Sequence, residues 1–133
     1  MTPRDRHHFD ELLEEVLAEL PETVTRLLDE IPLIVEDYPS QKVIQDMGLR
    51  HRGELCGLYS GIPLIERSVE QSGQFSDCVS LFREGILHVA REMDSAGRLR
   101  KDNIREQIRI TILHELGHHH GLDEDELDEL GYG

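Results

Sequence analysis

Residues 111–124 read Thr-Ile-Leu-His-Glu-Leu-Gly-His-His-His-Gly-Leu-Asp-Glu, and they carry the strongest pattern in the chain. Within them, His114, Glu115 and His118 form the motif H-E-x-x-H. Residues four apart on a helix lie one above the other, so the two imidazoles can face one cation. Glu115 is displaced by one position and can act as a base on water beside that cation. The spacing therefore predicts a helix that carries a hydrolytic metal site.

A third ligand is expected directly after this helix. Gly121 follows His118 by three residues, where a glycine can end a helix through a left-handed turn. The chain then turns back, and Glu124 completes the longer pattern H-E-x-x-H-x-x-G-x-x-E. Two histidines and one carboxylate are a known catalytic zinc set. We predict that His114, His118 and Glu124 bind Zn²⁺, and Asp123 is the alternative third ligand.

The composition indicates a small acidic domain with an aliphatic core. The chain has 133 residues, which predicts a single domain over residues 1–133, and it contains no Trp. Its formal net charge of −14 opposes binding to nucleic acid and to anionic membrane surfaces. The charge favours a neutral or basic polypeptide or a small molecule as partner, and a role of the acidity in solubility alone is an equal alternative. The expected substrate is a peptide or protein.

The cellular location is inferred from segments that the sequence lacks. The first residues contain no apolar stretch of the kind found in a signal peptide. No run approaches the roughly 18 apolar residues of a membrane helix. Cys56 and Cys78 form no C-x-x-C pattern, and both are expected to be reduced and buried. These features predict a cytoplasmic protein without a membrane anchor.

Hydrophobic periodicity predicts a mixture of helices and short strands. The cleanest amphipathic helix covers residues 9–20 and ends before a proline. Residues 33–37 and 78–82 are predicted strands. Ser40 is expected to cap a short helix that ends at Gly48. A turn is expected at residues 84–85, before the next helix.

The motif belongs to a long amphipathic helix that runs to about residue 120. Asn103 followed by Glu106 resembles a capping box, which would place the start of the helix there. The buried face of this helix is expected to consist of Ile104, Ile108, Ile112, Leu113 and Leu116. This helix matters for function because H-E-x-x-H brings its histidines together only in helical conformation.

These segments together resemble the small bacterial zincin-like metallopeptidase family, minimal metalloproteases with a metzincin-like core. The resemblance is carried by residues 58–67, by the strand at 79–83 and, most specifically, by residues 105–123. It implies an α+β, zincin-like fold with a small mixed sheet, an N-terminal helix behind it and an active-site helix across one face. It also implies peptidase-like activity and an acid as third ligand, which falls on Glu124 in place of the more usual Asp.

The motif supports a hypothesis for peptide hydrolysis. Glu115 would take a proton from the attacking water and return it to the leaving amine. Tyr59 or Tyr132 could stabilise the oxyanion. The substrate is expected to lie along an exposed edge strand, predicted at Val79–Arg83.

Two other functions stay open. The first is a metal-stabilised binding module without proteolytic turnover, because a chain this small leaves little room for a specificity subdomain. The second is a metal-dependent ribonuclease, because bacterial rRNA-maturation endoribonucleases carry a related histidine-rich helix. In those enzymes Gly replaces the motif Glu and the final ligand is His, and the acidic charge of this chain opposes RNA binding.

Overall fold

A computed structural model describes residues 1–61 and 77–120 of the chain, apart from the side chains of residues 118–120. In chain order its elements are α1 (Pro3–Glu19), α2 (Glu22–Glu30), β1 (Leu33–Glu36), α3 (Gln41–Met47), β2 (Gly57–Gly61), β3 (Asp77–Phe82), α4 (Arg83–Glu92) and α5 (Lys101–His120). A 3-10 turn, Arg52–Glu54, precedes β2. The architecture is α+β, which confirms the predicted class. Over these residues, no helix has both the length and the apolar character that crossing a membrane requires.

The three strands form one mixed sheet in the order β1-β3-β2. β1 runs parallel to β3, with Leu33 opposite Val79, and β2 runs antiparallel to β3, with Tyr59 opposite Val79. β3 is therefore the central strand, and the prediction that Val79–Arg83 forms an exposed edge is wrong. Alternating apolar residues indicate which side chains of a strand face the core. They do not indicate the position of the strand in the sheet, because that position depends on partner strands that are distant in sequence. Arg83 is not in the strand but begins α4.

An aliphatic core surrounds α5, which packs against α1, α4, β2 and β3. The predicted buried face of α5 is confirmed, since all five of its residues are buried: Ile104, Ile108, Ile112, Leu113 and Leu116. From α1 the core takes Phe9, Leu12, Leu13 and Val16, and from β3 it takes Val79 and Leu81. These contacts hold α5 across one face of the sheet and so set the position of the motif.

Local capping signals set the ends of the first helices. Ser40 caps α3, because its hydroxyl accepts a hydrogen bond from the Val43 N–H at 3.2 Å. Gly48 ends α3 in the left-handed conformation, at φ 65°. Both features confirm the prediction. α1 begins earlier than its apolar pattern indicates, because Thr2 and Asp5 form a reciprocal capping box.

The beginnings of α4 and α5 differ from the prediction. The expected turn at residues 84–85 is absent, and α4 follows β3 directly from Arg83. α5 begins at Lys101, so the expected cap at Asn103 is wrong. The carboxylate of Asp94 accepts hydrogen bonds from the N–H groups of Ala96 and Arg98 and orders the loop before α5. The helix therefore starts about one turn before the predicted position. The loop that precedes it is ordered by Asp94, which is not part of the predicted capping pattern.

A cluster of charged side chains joins α1 to the sheet. The Arg83 guanidinium donates to both carboxylate oxygens of Asp10, at 3.0 and 3.1 Å, and to Asp37 at 3.0 Å. Arg6 donates to the same Asp37 carboxylate at 2.9 Å. Only 12 % of the Arg83 side chain is exposed. Arg83 therefore links α1, the residue after β1 and the start of α4.

Candidate active site

The motif residues lie in the last two turns of α5. Leu113 and Leu116 are buried in the core, so the intervening His114 and Glu115 are turned partly out of it and are half-buried. His118 lies on the same helix one turn beyond His114, and its side chain is outside the described part. The helical placement of H-E-x-x-H is thus confirmed. The assignment of these residues to a metal stays a prediction.

The Glu115 carboxylate contacts the backbone of β2. The N–H of Tyr59 donates a hydrogen bond to Glu115 Oε1 at 3.2 Å. The N–H of Phe82 donates to the carbonyl of Cys56 at 2.8 Å, so these two residues form a hydrogen-bonded pair. Along an antiparallel ladder such pairs alternate with pairs that share no hydrogen bond, and Gly57 and Tyr59 belong to the second kind. The peptide groups of Gly57 and Tyr59 therefore point away from β3. Among the described strands, this side of β2 is the outer edge of the sheet, and Glu115 lies there.

Gly57 allows α5 to lie close to β2. It is buried, and a Cβ at this position would lie 2.5 Å from Thr111 Cγ2, 3.0 Å from the Ser80 carbonyl oxygen and 3.5 Å from Glu115 Cγ. Any larger residue would push the helix, and with it Glu115, away from the strand. The predictions from the sequence assigned no role to this glycine. A glycine inside a strand can mark a close backbone approach, and that signal was available.

A cavity of about 330 Å³ opens between α3, β2 and α5 beside the motif. His114 and Glu115 line one end, and its other walls are Met47, Leu55, Cys56, Gly57, Leu58, Gln107, Ile110 and Thr111. Burial raises the pKa of the Cys56 thiol to about 11, so the thiol is neutral at physiological pH. Both cysteines are free, as predicted, but they are half-buried rather than buried. The site thus combines a carboxylate, an imidazole and an uncharged wall.

A model of the zincin-like metallopeptidase family matches residues 28–133, which is more than half of the chain and includes β2, the cavity and α5. The chain belongs to this family. Membership confirms the resemblance drawn from the motif and the zincin-like form of the α+β fold. Among proteins of curated function, none matches the chain. The matched region begins in α2, so α1 lies outside it although it packs directly on α5.

In this zincin-like metallopeptidase, the hydroxyl of Tyr59 is hydrogen-bonded to Asp77. The side chain packs against the core. Burial, together with a hydrogen bond to Asp77, raises the pKa of the Tyr59 hydroxyl to about 12. Because the hydroxyl is engaged by Asp77, the expectation that it stabilises an oxyanion is not supported, and Tyr59 contributes its backbone instead. Tyr132, the other candidate, lies outside the described residues.

The zinc ion that this family implies is predicted to take its third ligand from beyond α5. Within the described side chains, no three His, Cys, Asp or Glu residues come together as a metal cluster. The two candidate acids, Asp123 and Glu124, follow the described part of the chain, as does Gly121. The donor types fit zinc, which accepts imidazole nitrogen and carboxylate oxygen. His114 lies at the cavity wall next to Glu115, where such a ligand is required.

Proposed function

We propose that this protein is a zinc-dependent peptidase in which Glu115 is the general base. The observation that carries the proposal is the hydrogen bond between the Glu115 carboxylate and the Tyr59 N–H at the outer edge of β2. A general base must lie within hydrogen-bond reach of the proton that it removes. A peptide that extends along this edge would bring its carbonyl groups to the carboxylate.

His114, His118 and Glu124 would hold the zinc ion, with Asp123 as the alternative to Glu124. When bound, zinc supplies a Lewis acid that polarises a carbonyl and lowers the pKa of water to about 7. Glu115 accepts the proton of the attacking water and passes it to the nitrogen of the leaving amine. The half-buried position of Glu115 limits the access of bulk water to this transfer.

The substrate is proposed to pair with β2 rather than with β3. Among the described strands, β2 is the edge strand beside α5, and the outward peptide groups of Gly57 and the carbonyl of Tyr59 can pair with an extended chain. The net charge of −14 favours a neutral or basic peptide over nucleic acid or an anionic membrane. The proposed partner is accordingly a peptide or an unfolded protein segment.

The test combines elemental analysis with digestion of a peptide library. The wild-type protein is expected to carry about one zinc per chain and to cleave peptides. Glu115→Gln is expected to keep the zinc and to lose at least about 100-fold in cleavage rate, because only the base is removed. Glu106→Gln, the same change elsewhere on α5, is the matched control and should keep both properties. Equal cleavage by wild type and Glu115→Gln would exclude Glu115 as the base.

The same experiment distinguishes the binding-module alternative. If the wild-type protein holds zinc and cleaves no library peptide, the metal has a structural role and the peptidase proposal fails. Destabilisation by a chelator does not separate the two functions, because both predict it.

A further inference from the structure

A second cavity, of about 500 Å³, opens between the start of α1, the 3-10 turn and α4. Among the described residues, it shares no lining residue with the cavity beside Glu115. Two arginines and two histidines line it: His51, Arg52, His88 and Arg91. In a chain whose formal net charge is −14, this group of basic side chains makes the second cavity a candidate site for a ligand with negative charge.

The two carboxylates in the lining of the second cavity already have partners. Glu84 accepts a hydrogen bond from Arg52 Nε at 3.0 Å. Asp5 accepts a hydrogen bond from the Thr2 N–H at 3.1 Å, within the capping box of α1. Arg91, by contrast, forms no ion pair with any described side chain. The guanidinium of Arg91 is therefore the cation of the lining that can take a counterion from a ligand.

His51 supplies a hydrogen-bond donor. Its Nδ1 accepts a hydrogen bond from the Gly53 N–H at 3.2 Å, so the proton of the neutral ring lies on Nε2. The His88 ring lies 6.1 Å from that of His51, and His88 Nε2 contacts Glu92 Oε1 at 3.0 Å. A metal ion binds an unprotonated ring nitrogen. The proton on His51 Nε2 therefore favours a ligand that accepts a hydrogen bond, such as an anion, over a metal ion.

The charges of the lining favour a ligand with a single negative charge. The positive side chains Arg52 and Arg91 are matched by the negative side chains Asp5 and Glu84, so the lining is neutral when its histidines are neutral. A phosphate dianion would be repelled by both carboxylates and by the acidity of the whole chain. A carboxylate carries one charge and can accept two hydrogen bonds from the planar fork of a guanidinium.

Apolar side chains complete the second cavity. Leu87 from α4 and Leu99 from the loop before α5 line it together with Met1. Leu99 is 38 % exposed and Met1 is 37 % exposed. An apolar surface in contact with water gains free energy when an apolar group covers it. The lining therefore fits an aliphatic group attached to the carboxylate.

We propose that the second cavity binds a small organic monocarboxylate with an aliphatic group, through the Arg91 guanidinium and the His51 Nε2–H. Its volume of about 500 Å³ lies within the range of ligand pockets, roughly 300–1,000 Å³. A free acid and the last residue of a peptide share this chemistry. Binding here does not depend on the proposed peptidase function, because the lining contains no residue of the catalytic motif.

Acetyl-leucine and acetyl-leucine amide test the proposal, because they differ only in the charged group. The ring signals of His51 and His88 are recorded by NMR while each compound is added to the full chain. The acid is expected to shift both signals and to bind at least about 10-fold more tightly than the amide, because hydrogen bonds to a charged group are the stronger ones. Equal binding of the amide, or signals that the acid does not shift, overturns the proposal.

Three further ligands define the chemistry of the site. Inorganic phosphate is expected to displace acetyl-leucine only weakly, and displacement at equal concentration overturns the choice of a monocarboxylate. If Zn²⁺ shifts the His51 and His88 signals and acetyl-leucine does not, the two histidines are metal ligands and the proposal fails. Acetyl-Ala-Ala-Leu distinguishes the two sources of the carboxylate. Tighter binding than acetyl-leucine assigns the ligand as a peptide C-terminus, and weaker binding assigns it as a free acid.

Variants separate the contribution of the charge from that of the apolar wall. Arg91→Gln is expected to weaken acetyl-leucine binding at least about 10-fold. Arg26→Gln is the matched control, because it removes a 73 % exposed arginine from α2, and it should leave binding unchanged. Leu99→Ala is expected to reduce the preference for acetyl-leucine over acetyl-glycine, and Ile34→Ala, at an equally exposed position of β1, should keep it.

All four substitutions are at the surface, and circular dichroism confirms that each variant is folded. Unchanged binding by Arg91→Gln contradicts the anion contact. An unchanged preference in Leu99→Ala contradicts the aliphatic part of the assignment.

Discussion

Glu115 accepts a hydrogen bond from a backbone donor. The Tyr59 N–H that contacts it belongs to the edge strand, and its position follows from the register of β2 on β3. An N–H that points away from the sheet does not contribute to the ladder, so its removal need not disrupt the strand. A substitution at Tyr59 can therefore alter the orientation of Glu115, the proposed base, while Glu115 itself is kept.

Tyr59→Pro removes this donor and is expected to reduce kcat/KM for peptide cleavage by roughly 10–100-fold, the usual effect of losing a partner that orients a metal-site residue. Tyr59→Ala keeps the N–H and serves as the control for the lost side chain. The measurement is the pH profile of kcat/KM for both variants, with circular dichroism to confirm folding. Identical profiles for the two variants would show that the N–H does not orient Glu115.

The choice between Glu124 and Asp123 is also made at the level of single residues. Glu124→Ala is expected to lower the zinc content per chain at least about 10-fold, because two histidines alone form an incomplete site. Asp123→Ala should leave the zinc content unchanged. Elemental analysis after dialysis measures both, and the reverse result would assign Asp123 as the ligand.

At the scale of elements, two glycines allow helices to lie close to the segment around β2. Gly57 allows α5 to lie against β2. Gly85 allows the first turn of α4 to lie against the residues just before β2. A Cβ at Gly85 would overlap the carbonyl oxygen of Leu55 and lie 3.1 Å from the Cys56 nitrogen. Backbone atoms cannot rotate aside as a side chain can, so this contact fixes α4 relative to one wall of the cavity.

Gly85→Ala is expected to lower the free energy of unfolding by at least about 3 kcal/mol, at the upper end of overpacking effects. Gly48→Ala is the comparison, because Gly48 has a positive φ and open space around it, and it should cost about 1 kcal/mol from backbone strain alone. Urea unfolding followed by circular dichroism measures both values. A smaller loss for Gly85→Ala than for Gly48→Ala would contradict the close packing of α4.

At the scale of the whole molecule, the cluster around Arg83 holds together parts of the chain that are far apart in sequence. Burial alone would raise the pKa of Asp37, but hydrogen bonds from Arg6 and Arg83 outweigh it and hold this pKa below the usual 3.8. A carboxylate with a lowered pKa stabilises the fold above its unfolded-state pKa, and the stabilisation is lost as the pH falls through the folded-state value. The cluster therefore makes the fold sensitive to acid.

Asp37→Asn is expected to lower the free energy of unfolding by about 1–3 kcal/mol at pH 7, the range for hydrogen bonds to charged groups. The difference from wild type should shrink as the pH falls below about 4, because Asp37 becomes protonated first in the unfolded chain. Urea unfolding at pH 7 and pH 3 measures the change, and Asp46→Asn on the exposed face of α3 is the control. A difference that does not depend on pH would contradict the ionic role of Asp37.

Features that depend on a few neighbouring residues were determined by the sequence itself. The buried face of α5, the Ser40 cap, the end of α3 at Gly48 and the helical placement of H-E-x-x-H all follow from helical periodicity and local hydrogen bonds. The motif also predicted the family, since its spacing and residue types carry the chemistry. The metal ligands His114, His118 and Glu124 stay predictions from the same motif.

Tertiary structure decided the features that join distant segments. The sequence predicted β3 as an edge strand, whereas β3 is central among the described strands, and the hydrogen bond from the Tyr59 N–H to Glu115 was not predicted. Strand order and the distance between β2 and α5 depend on contacts between residues that lie from about 20 to more than 50 positions apart, and no local pattern records them. The catalytic motif is thus local in the sequence, while the edge and the cavity beside it exist only because the folded chain brings those segments together.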